Sequence, residues 1–247
     1  MSSQGSLRKD GRTFNQLRGM VCDRGLLHRA DGSAKWSQDG TSVLVGVYGP
    51  KNMPPKREDP EKAVLEVLWK PKSGIQGPEE REAEIILRRT LEAVVLAPLF
   101  PRAGISVVVQ VIHDDGSLLS CAINAACAAL VDAGIPMTGL LASVTIALAK
   151  RDDGAGGGAH LQLDPTREEQ DGAQATVCLA LETTPKAATS NGSVEGEAVV
   201  TSTTRGAMAI EEYLEALDRC RMASRTINAF ARLSLDKAQR RLELPGT

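Results

Sequence analysis

The chain has 247 residues, of which 42% are hydrophobic, 24% charged and only 3% aromatic, and its formal net charge is −2. This composition is typical of a globular protein with a large core of aliphatic side chains. It disfavours proteins that stack bases on exposed rings and proteins that attract nucleic acid by bulk charge, so any such contact must come from local patches.

The cysteines, the histidines and the N-terminus disfavour three further classes. The five cysteines are an odd number without C-x-x-C spacing, which is typical of reduced thiols in a reducing compartment. The three histidines do not cluster with them, so we expect no zinc site. The N-terminus has no apolar signal region and no apolar run is long enough to span a bilayer, so we expect no membrane association.

Residues 1–40 form a polar, basic and loop-rich N-terminal segment that includes Arg8 and Arg12. Either a solvated edge or a face that contacts a phosphate backbone fits this pattern. A strand is predicted at 41–48, where Gly-Pro stops it, and the alternating segment 62–70 suggests a hairpin partner for it.

The middle of the chain predicts two helices around one strand. A helix begins at Pro78 and carries an apolar stripe at helical spacing up to residue 95. A β-branched strand at 105–112 is predicted to be central and buried on both faces. The helix 118–133 consists almost entirely of small residues, which would let it approach a sheet closely, and Gly134 suits its end.

The last third predicts strands at about 140–150, 175–183 and 197–203, followed by a C-terminal helix at about 209–240. Strict βαβ alternation is absent, so the order of elements predicts an α+β fold built around a mixed sheet, in a single domain 1–247.

Two stretches are candidates for chemistry. The acidic segment 164–171 contains carboxylates at the close spacing that can hold Mg²⁺ or position a water, although a solvated loop would look the same. The turn 115–117 leads into the small-residue helix, whose N-terminus would attract anions. A helix start without a ligand is the plainer interpretation of this turn.

Six segments together resemble the RNase PH family. They are "RKDGRTFNQLR", "RADGSAKWSQDGTSVLVGVYGP", "EIILRRTLEAVVLAPLFPR", "DGSLLSCAINAACAALVDAGIPM", "LDPTREE" and "TTRGAMAIEEYLEAL", and they span nearly the whole chain in the family's order. Within the family, the chain is most similar to the RNase PH-like ring subunits of the eukaryotic exosome. The resemblance implies a two-layer α+β domain of the kind seen in ribosomal protein S5, which assembles as dimers within a six-membered ring around an RNA-conducting pore.

Active family members degrade RNA from its 3′ end with phosphate as the attacking group. Their site uses a Gly-Thr-Arg phosphate loop, two Asp residues near the acidic segment and Arg residues that grip RNA. In this chain the phosphate loop corresponds to Ser117, Leu118 and Leu119, and leucine cannot supply the charge-assisted bonds of the missing Arg.

The resemblance also assigns the remaining site residues. It places Glu168 near the first Asp and Gln174 near the second, with Asp171 between them, and it makes Glu168 and Asp171 the candidate Mg²⁺ ligands. Arg89 and Arg102 match Arg residues that grip RNA, and the basic N-terminal residues Arg8 and Arg12 would extend this contact. The implied site is a mostly dismantled phosphorolytic centre.

Two functions follow from the resemblance, and the residues leave both open. The first is a ring subunit of the exosome core that binds and guides single-stranded RNA during 3′-to-5′ processing, including that of ribosomal RNA, and needs no cofactor. The alternative is a weak nuclease, either phosphate-dependent or hydrolysing RNA or DNA with Mg²⁺, acting as a homodimer. The expected partners are other RNase PH-like ring subunits and cap subunits, and the expected locations are the nucleus, the nucleolus and the cytoplasm.

Overall fold

A computed structural model describes residues 8–149, 160–183 and 197–243, with side chains described up to residue 235. The strands are β1 (Met20–Arg24), β2 (Gly32–Gln38), β3 (Thr41–Asn52), β4 (Val64–Lys70), β5 (Ala103–His113), β6 (Leu140–Ala149), β7 (His160–Leu163), β8 (Ala175–Thr183) and β9 (Glu197–Gly206). The helices are α1 (Pro78–Val94), α2 (Leu118–Asp132), α3 (Arg167–Asp171) and α4 (Ile210–Glu243). None of the helices within the described residues is long and apolar enough to cross a membrane.

The strands form two sheets, and the predicted α+β fold class is confirmed. The first sheet has the order β1-β2-β3-β5-β4, and the second has the order β7-β6-β8-β9 with antiparallel pairs throughout. The predicted hairpin between 41–48 and 62–70 is wrong, because β5 lies between β3 and β4. β4 runs parallel to β5, and a parallel pair needs a crossover connection, which α1 supplies.

The prediction that β5 is buried on both faces is also wrong. Ile105, Val107, Val109 and Val111 are at most 4% exposed, whereas the residues between them are partly exposed. The buried side of the sheet packs on α2 through β2 and β3. The strand therefore alternates as expected for a sheet with one covered face.

Helix α2 lies between the two sheets, and its small residues make this possible. It contacts β2 and β3 of the first sheet and β6 and β8 of the second, and ten of its fifteen residues are buried. At Gly32 on β2, an added Cβ atom would lie 2.2 Å from the backbone nitrogen of Ala133 and 2.6 Å from the carbonyl oxygen of Ala129. The backbones of sheet and helix are therefore in direct contact there, as the alanine-rich sequence predicted.

The helix ends follow the local signals in the sequence. Gly77 precedes α1, Pro78 is its first residue, and Glu80 accepts a hydrogen bond from the Gly77 amide at 2.9 Å. Helix α2 ends at Asp132, and Gly134 after it has a φ of 68°, a left-handed conformation that glycine adopts without strain. The predicted C-terminal helix is confirmed as α4.

Candidate functional site

A cavity of about 170 Å³ lies at the N-terminal end of α2. Its walls come from the first half of α1, the turn before α2, α3 and strands β6, β8 and β9. It is therefore built from segments that are distant in sequence, and both candidate stretches for chemistry, the turn 115–117 and the acidic segment, contribute to it.

The turn before α2 is held rigidly. Arg18 donates hydrogen bonds to the carbonyl oxygens of Asp115 at 2.9 Å and Gly116 at 3.2 Å, and the Thr41 hydroxyl donates to Gly116 at 2.7 Å. Gly116 has a φ of 85°, and a Cβ atom there would lie 2.6 Å from the backbone of Thr166. Only glycine fits this close approach between the turn and the acidic segment.

Ser117 precedes the first turn of α2 but does not cap the helix with its side chain. It has a left-handed φ of 53°, and its hydroxyl donates to the carbonyl oxygen of Pro165 at 3.0 Å. Its amide donates instead to the side-chain oxygen of Gln170 on α3, also at 3.0 Å. Leu118 and Leu119 line the cavity and pack partly against the core. The three residues that the resemblance matched to the phosphate loop thus place two apolar side chains, and no cation, at the cavity wall.

The cations at the cavity are already paired within the chain. Arg167 donates to Asp114 at 3.2 Å and to Asp171 at 3.3 Å. Arg205 on β9 donates to Glu82 on α1 at 2.7 Å. Neither guanidinium is therefore left without a carboxylate partner.

The predicted catalytic residues do not line this cavity. The Glu168 side chain is 81% exposed and pairs with Lys9 at 3.6 Å. Asp171 is occupied by Arg167, and Gln174 is exposed and donates to the carbonyl oxygen of Ala207 at 3.3 Å. The structure therefore separates all three side chains from the remnant of the phosphate loop.

Two residues that sequence reasoning missed line the cavity instead. Gln170 and Thr176 lie two positions after Glu168 and Gln174 and keep the same six-residue spacing. Arg167 and Gln170 share one face of α3 because residues three apart lie on the same side of a helix, which turns Glu168 away. Thr166 caps this helix, and that capping signal, Thr followed by Glu three residues later, could have fixed the phase of the helix from the sequence.

The carboxylates as placed do not fit Mg²⁺. Glu168 and Asp171 are each engaged by a different cation and do not converge on one point. Across the described ranges, no three His, Cys, Asp or Glu side chains come together as a potential metal site. No metal-dependent step is therefore assigned to these residues.

The predicted RNA-binding residues Arg8 and Arg12 are not at the surface. The Arg8 side chain is fully buried and donates to the carbonyl oxygens of Phe14 at 2.7 Å and Leu163 at 2.6 Å. Arg12, with a side chain that is 10% exposed, donates through its Nε atom to Asp10 at 2.6 Å. Both guanidinium groups hold the N-terminal segment on the fold, so the expectation that they present a basic surface is corrected.

Arg89 and Arg102, in contrast, are exposed. Arg89 lies in the second half of α1, and Arg102 precedes β5 with its amide donating to the carbonyl oxygen of Asp59 at 2.9 Å. Because α1 returns the chain from the end of β4 to the start of β5, the two residues lie toward the same end of the first sheet. The cavity is lined by the first half of α1, so this end lies away from it.

The comparisons with known proteins agree with this fold. The RNase PH family model, which describes domain 1 of the 3′ exoribonuclease family, matches residues 16–136. The Arabidopsis thaliana exosome complex exonuclease RRP46 homolog is 45% identical over 94% of this chain and 96% of its own.

Two solved structures extend the comparison. The crystal structure of rice Rrp46 superposes with a TM-score of 0.82 and 41% identity, covering 93% of this chain and all of that one. A chain of the Archaeoglobus fulgidus exosome with RNA bound to the active site matches with a TM-score of 0.70, over 90% of this chain and 92% of its own. At 21% identity, this last match shows the shared fold alone. The chain belongs to the RNase PH family.

Proposed function

We propose that the chain is an RNase PH-like ring subunit of the exosome core that binds RNA without cleaving it by phosphorolysis. The names of its relatives support the exosome assignment. The cavity at α2 carries the second part of the proposal. The phosphate loop has leucines in place of a cation, and the uncharged Gln170 and Thr176 line the cavity. Preorganised charge usually makes the largest contribution to catalysis. The start of α2 carries no cation at the position where phosphorolysis needs one to bind phosphate.

RNA contact is assigned to Arg89 and Arg102. Both side chains are exposed, and the exposed Arg88 on the same helix forms only a 3.8 Å pair with Glu92. Guanidinium groups bind phosphates in a bidentate manner without reading bases, and the aromatic share of the chain is too low for base stacking to dominate. We therefore propose backbone-directed binding of single-stranded RNA, and of single-stranded DNA by the same contacts.

The proposed partners are other RNase PH-like ring subunits and cap subunits, with self-association when the chain is alone. The names of the relatives, which are exosome proteins, support an assembly with other subunits. We further propose a nuclear, nucleolar and cytoplasmic location in keeping with ribosomal-RNA processing, and no requirement for a resident cofactor.

The decisive experiment incubates the purified chain with labelled single-stranded RNA, with and without phosphate, and with Mg²⁺ or a chelator. We expect binding without release of nucleoside diphosphates under any of these conditions. Release that requires phosphate would contradict the proposal, and chelator-sensitive cleavage independent of phosphate would favour a hydrolytic nuclease. The Arg89→Ala/Arg102→Ala variant is the control, because it should lose RNA affinity and keep its fold.

A further inference from the structure

Helix α1 is acidic in sequence, yet the fold engages most of its carboxylates or turns them away from solvent. The helix contains five Glu and three Arg residues. Glu80 and Glu84 accept hydrogen bonds from backbone amides at 2.9 and 3.0 Å. Glu82 pairs with Arg205 at 2.7 Å, and Glu79 lines the cavity at the start of α2. The charge that α1 presents to solvent therefore differs from the charge of its sequence.

The solvent face of α1 carries two arginines that have no internal partner. Arg81 and Arg89 are both exposed, and no carboxylate among the described residues lies within ion-pair distance of either guanidinium. Glu92, the fifth carboxylate of the helix, is engaged by Arg88 at 3.8 Å. The uncompensated charges on this face are therefore positive, although the helix as a whole has more acidic than basic residues.

Ile85 lies between the two arginines on the same face. Residues four apart are neighbours on a helix, so Arg81, Ile85 and Arg89 form one row, here called the α1 stripe, with about 6 Å along the axis from each member to the next. The Ile85 side chain is 44% exposed. Ala83, which lines the cavity, is two positions away and points to nearly the opposite side of the helix. The α1 stripe is therefore a surface separate from the cavity.

A single strand of RNA fits this order of groups. Its backbone carries a negative charge at every phosphate, and guanidinium groups bind phosphates without reading bases. Between phosphates lie sugars and bases, whose less polar surfaces gain by covering an exposed aliphatic side chain. Arg89 is already assigned to RNA together with Arg102, so the α1 stripe continues that surface toward the start of the helix.

We propose that Arg81 and Ile85 extend the RNA-binding surface, so that a single strand lies lengthwise on the α1 stripe. Phosphates are bound at Arg81 and Arg89, and a sugar or base covers Ile85. The proposal deepens the proposed function and rests on it, because Arg89 and Arg102 alone would hold the strand only near the C-terminal end of α1. The strand then passes on the side of α1 that faces away from the cavity.

The test measures fluorescence anisotropy of labelled single-stranded RNA with the full chain at several salt concentrations. Arg81→Gln removes the charge and keeps a good helix former. Its slope of log K against log salt should be smaller by about 0.7, the value for one lost phosphate contact on a single strand. Arg81→Lys keeps the charge and should keep the slope. Arg232→Gln, at an exposed arginine of α4, is the matched control and should also leave the slope unchanged.

Ile85→Ser tests the apolar part of the α1 stripe. It should lower RNA affinity by the same factor at every salt concentration, because it removes an apolar contact and no charge. Leu214→Ser changes a comparably exposed aliphatic residue on α4 and should leave RNA affinity unchanged. An equal loss of affinity in both variants would contradict a specific contact at Ile85.

A slope for Arg81→Gln equal to that of the unmodified chain would overturn the proposal, as would an equal loss of slope in Arg232→Gln. Circular dichroism confirms the fold of each variant, and Arg81→Ala replaces Arg81→Gln if the latter does not fold. The Arg89→Ala/Arg102→Ala variant separates the two levels of the argument. If it loses slope while Arg81→Gln does not, only this inference fails, and if neither loses slope, the proposed RNA surface fails as a whole.

Discussion

Arg18 and Asp164 form an ion pair at 2.7 Å in which both side chains are only 2% exposed. Burial by itself would lower the pKa of Arg18, but the hydrogen bond and charge of Asp164 raise it above its ordinary value. The same guanidinium holds the carbonyl oxygens of the turn before α2. The pair therefore joins the N-terminal segment, the phosphate-loop remnant and the acidic segment.

Asp164→Asn should strongly destabilise the chain, because it leaves the buried Arg18 guanidinium with only the half-exposed Asp115 carboxylate, 3.8 Å away, as a counter-charge. Breaking a buried pair from one side typically costs about 3–5 kcal/mol. Urea unfolding followed by circular dichroism measures this loss. Asp218→Asn breaks an exposed pair with Arg221 and should change the unfolding midpoint little. A midpoint for Asp164→Asn close to that of this control would show that the pair is not structural.

RNA affinity should depend steeply on salt, and the dependence should weaken when Arg89 and Arg102 are both replaced by Ala. Each lost phosphate contact on a single strand lowers the slope of log K against log salt by about 0.7, so the double variant should lose about 1.4. Fluorescence anisotropy at several salt concentrations gives the slope. Arg221→Ala removes a charge from the exposed side of α4 and should leave the slope unchanged, and an equal effect there would argue against the assigned surface.

Restoring Gly-Thr-Arg at Ser117, Leu118 and Leu119 should not by itself produce phosphorolysis. Gln170 and Thr176 would still supply no carboxylate to their side of the cavity, and each missing charged group could cost on the order of a hundredfold in rate. Adding Gln170→Asp and Thr176→Asp to the triple variant should give measurable phosphate-dependent release of nucleoside diphosphates. Brisk release by the triple variant alone would show that residues 170 and 176 are not limiting.

Above pH 9 the chain should lose stability partly through Cys127. Burial raises the pKa of this thiol from 9.0 to about 11, although the Leu141 amide, which donates to its sulfur at 3.3 Å, opposes the shift. Between these values the thiol ionises only in the unfolded state, so the free energy of unfolding should fall by about 1.4 kcal/mol per pH unit. Above the folded-state pKa the thiol ionises in both states, so the loss of stability from this group stops growing but is not reversed.

The measurement compares urea unfolding of the unmodified chain and Cys127→Ala from pH 8 to pH 11. The free energy of unfolding of the variant should fall less steeply across this range, although its value at pH 8 should be lower than that of the unmodified chain. Parallel pH dependences for the two proteins would mean that the Cys127 thiol ionises alike in the folded and unfolded states, so that burial does not raise its pKa.

Much of the fold could be predicted from the sequence because its signals are local. The Gly77-Pro78 start of α1 and the Gly134 end of α2 act through backbone preferences of the residues themselves. The pairing of β4 with β5 rather than β3 could not be predicted in this way, because it depends on the crossover through α1. The one-sided burial of β5 likewise depends on where α2 packs.

The candidate site was predictable in place but not in detail. Ser117, Leu118 and Leu119 line the cavity, whereas Glu168 and Gln174 do not. The apolar periodicity of a five-residue helix is too short to give its phase, so only the capping signal at Thr166 could have fixed it. A shift of two positions exchanges the cavity side of this helix for the solvent side. The prediction that Arg8 and Arg12 form a basic surface was wrong for another reason. In the sequence of a loop-rich segment, basic residues that stabilise the fold cannot be distinguished from basic residues that face solvent.

The packing of α2 between two sheets has a consequence for how such a chain can change over generations. Its position is fixed by backbone contacts such as that between Gly32 and Ala133, and these do not involve the residues that line the cavity. Substitutions at Leu118, Leu119, Gln170 and Thr176 could therefore accumulate while the helix stayed in place. A lineage of this family can lose its chemistry one residue at a time and still inherit an intact building block for a larger assembly.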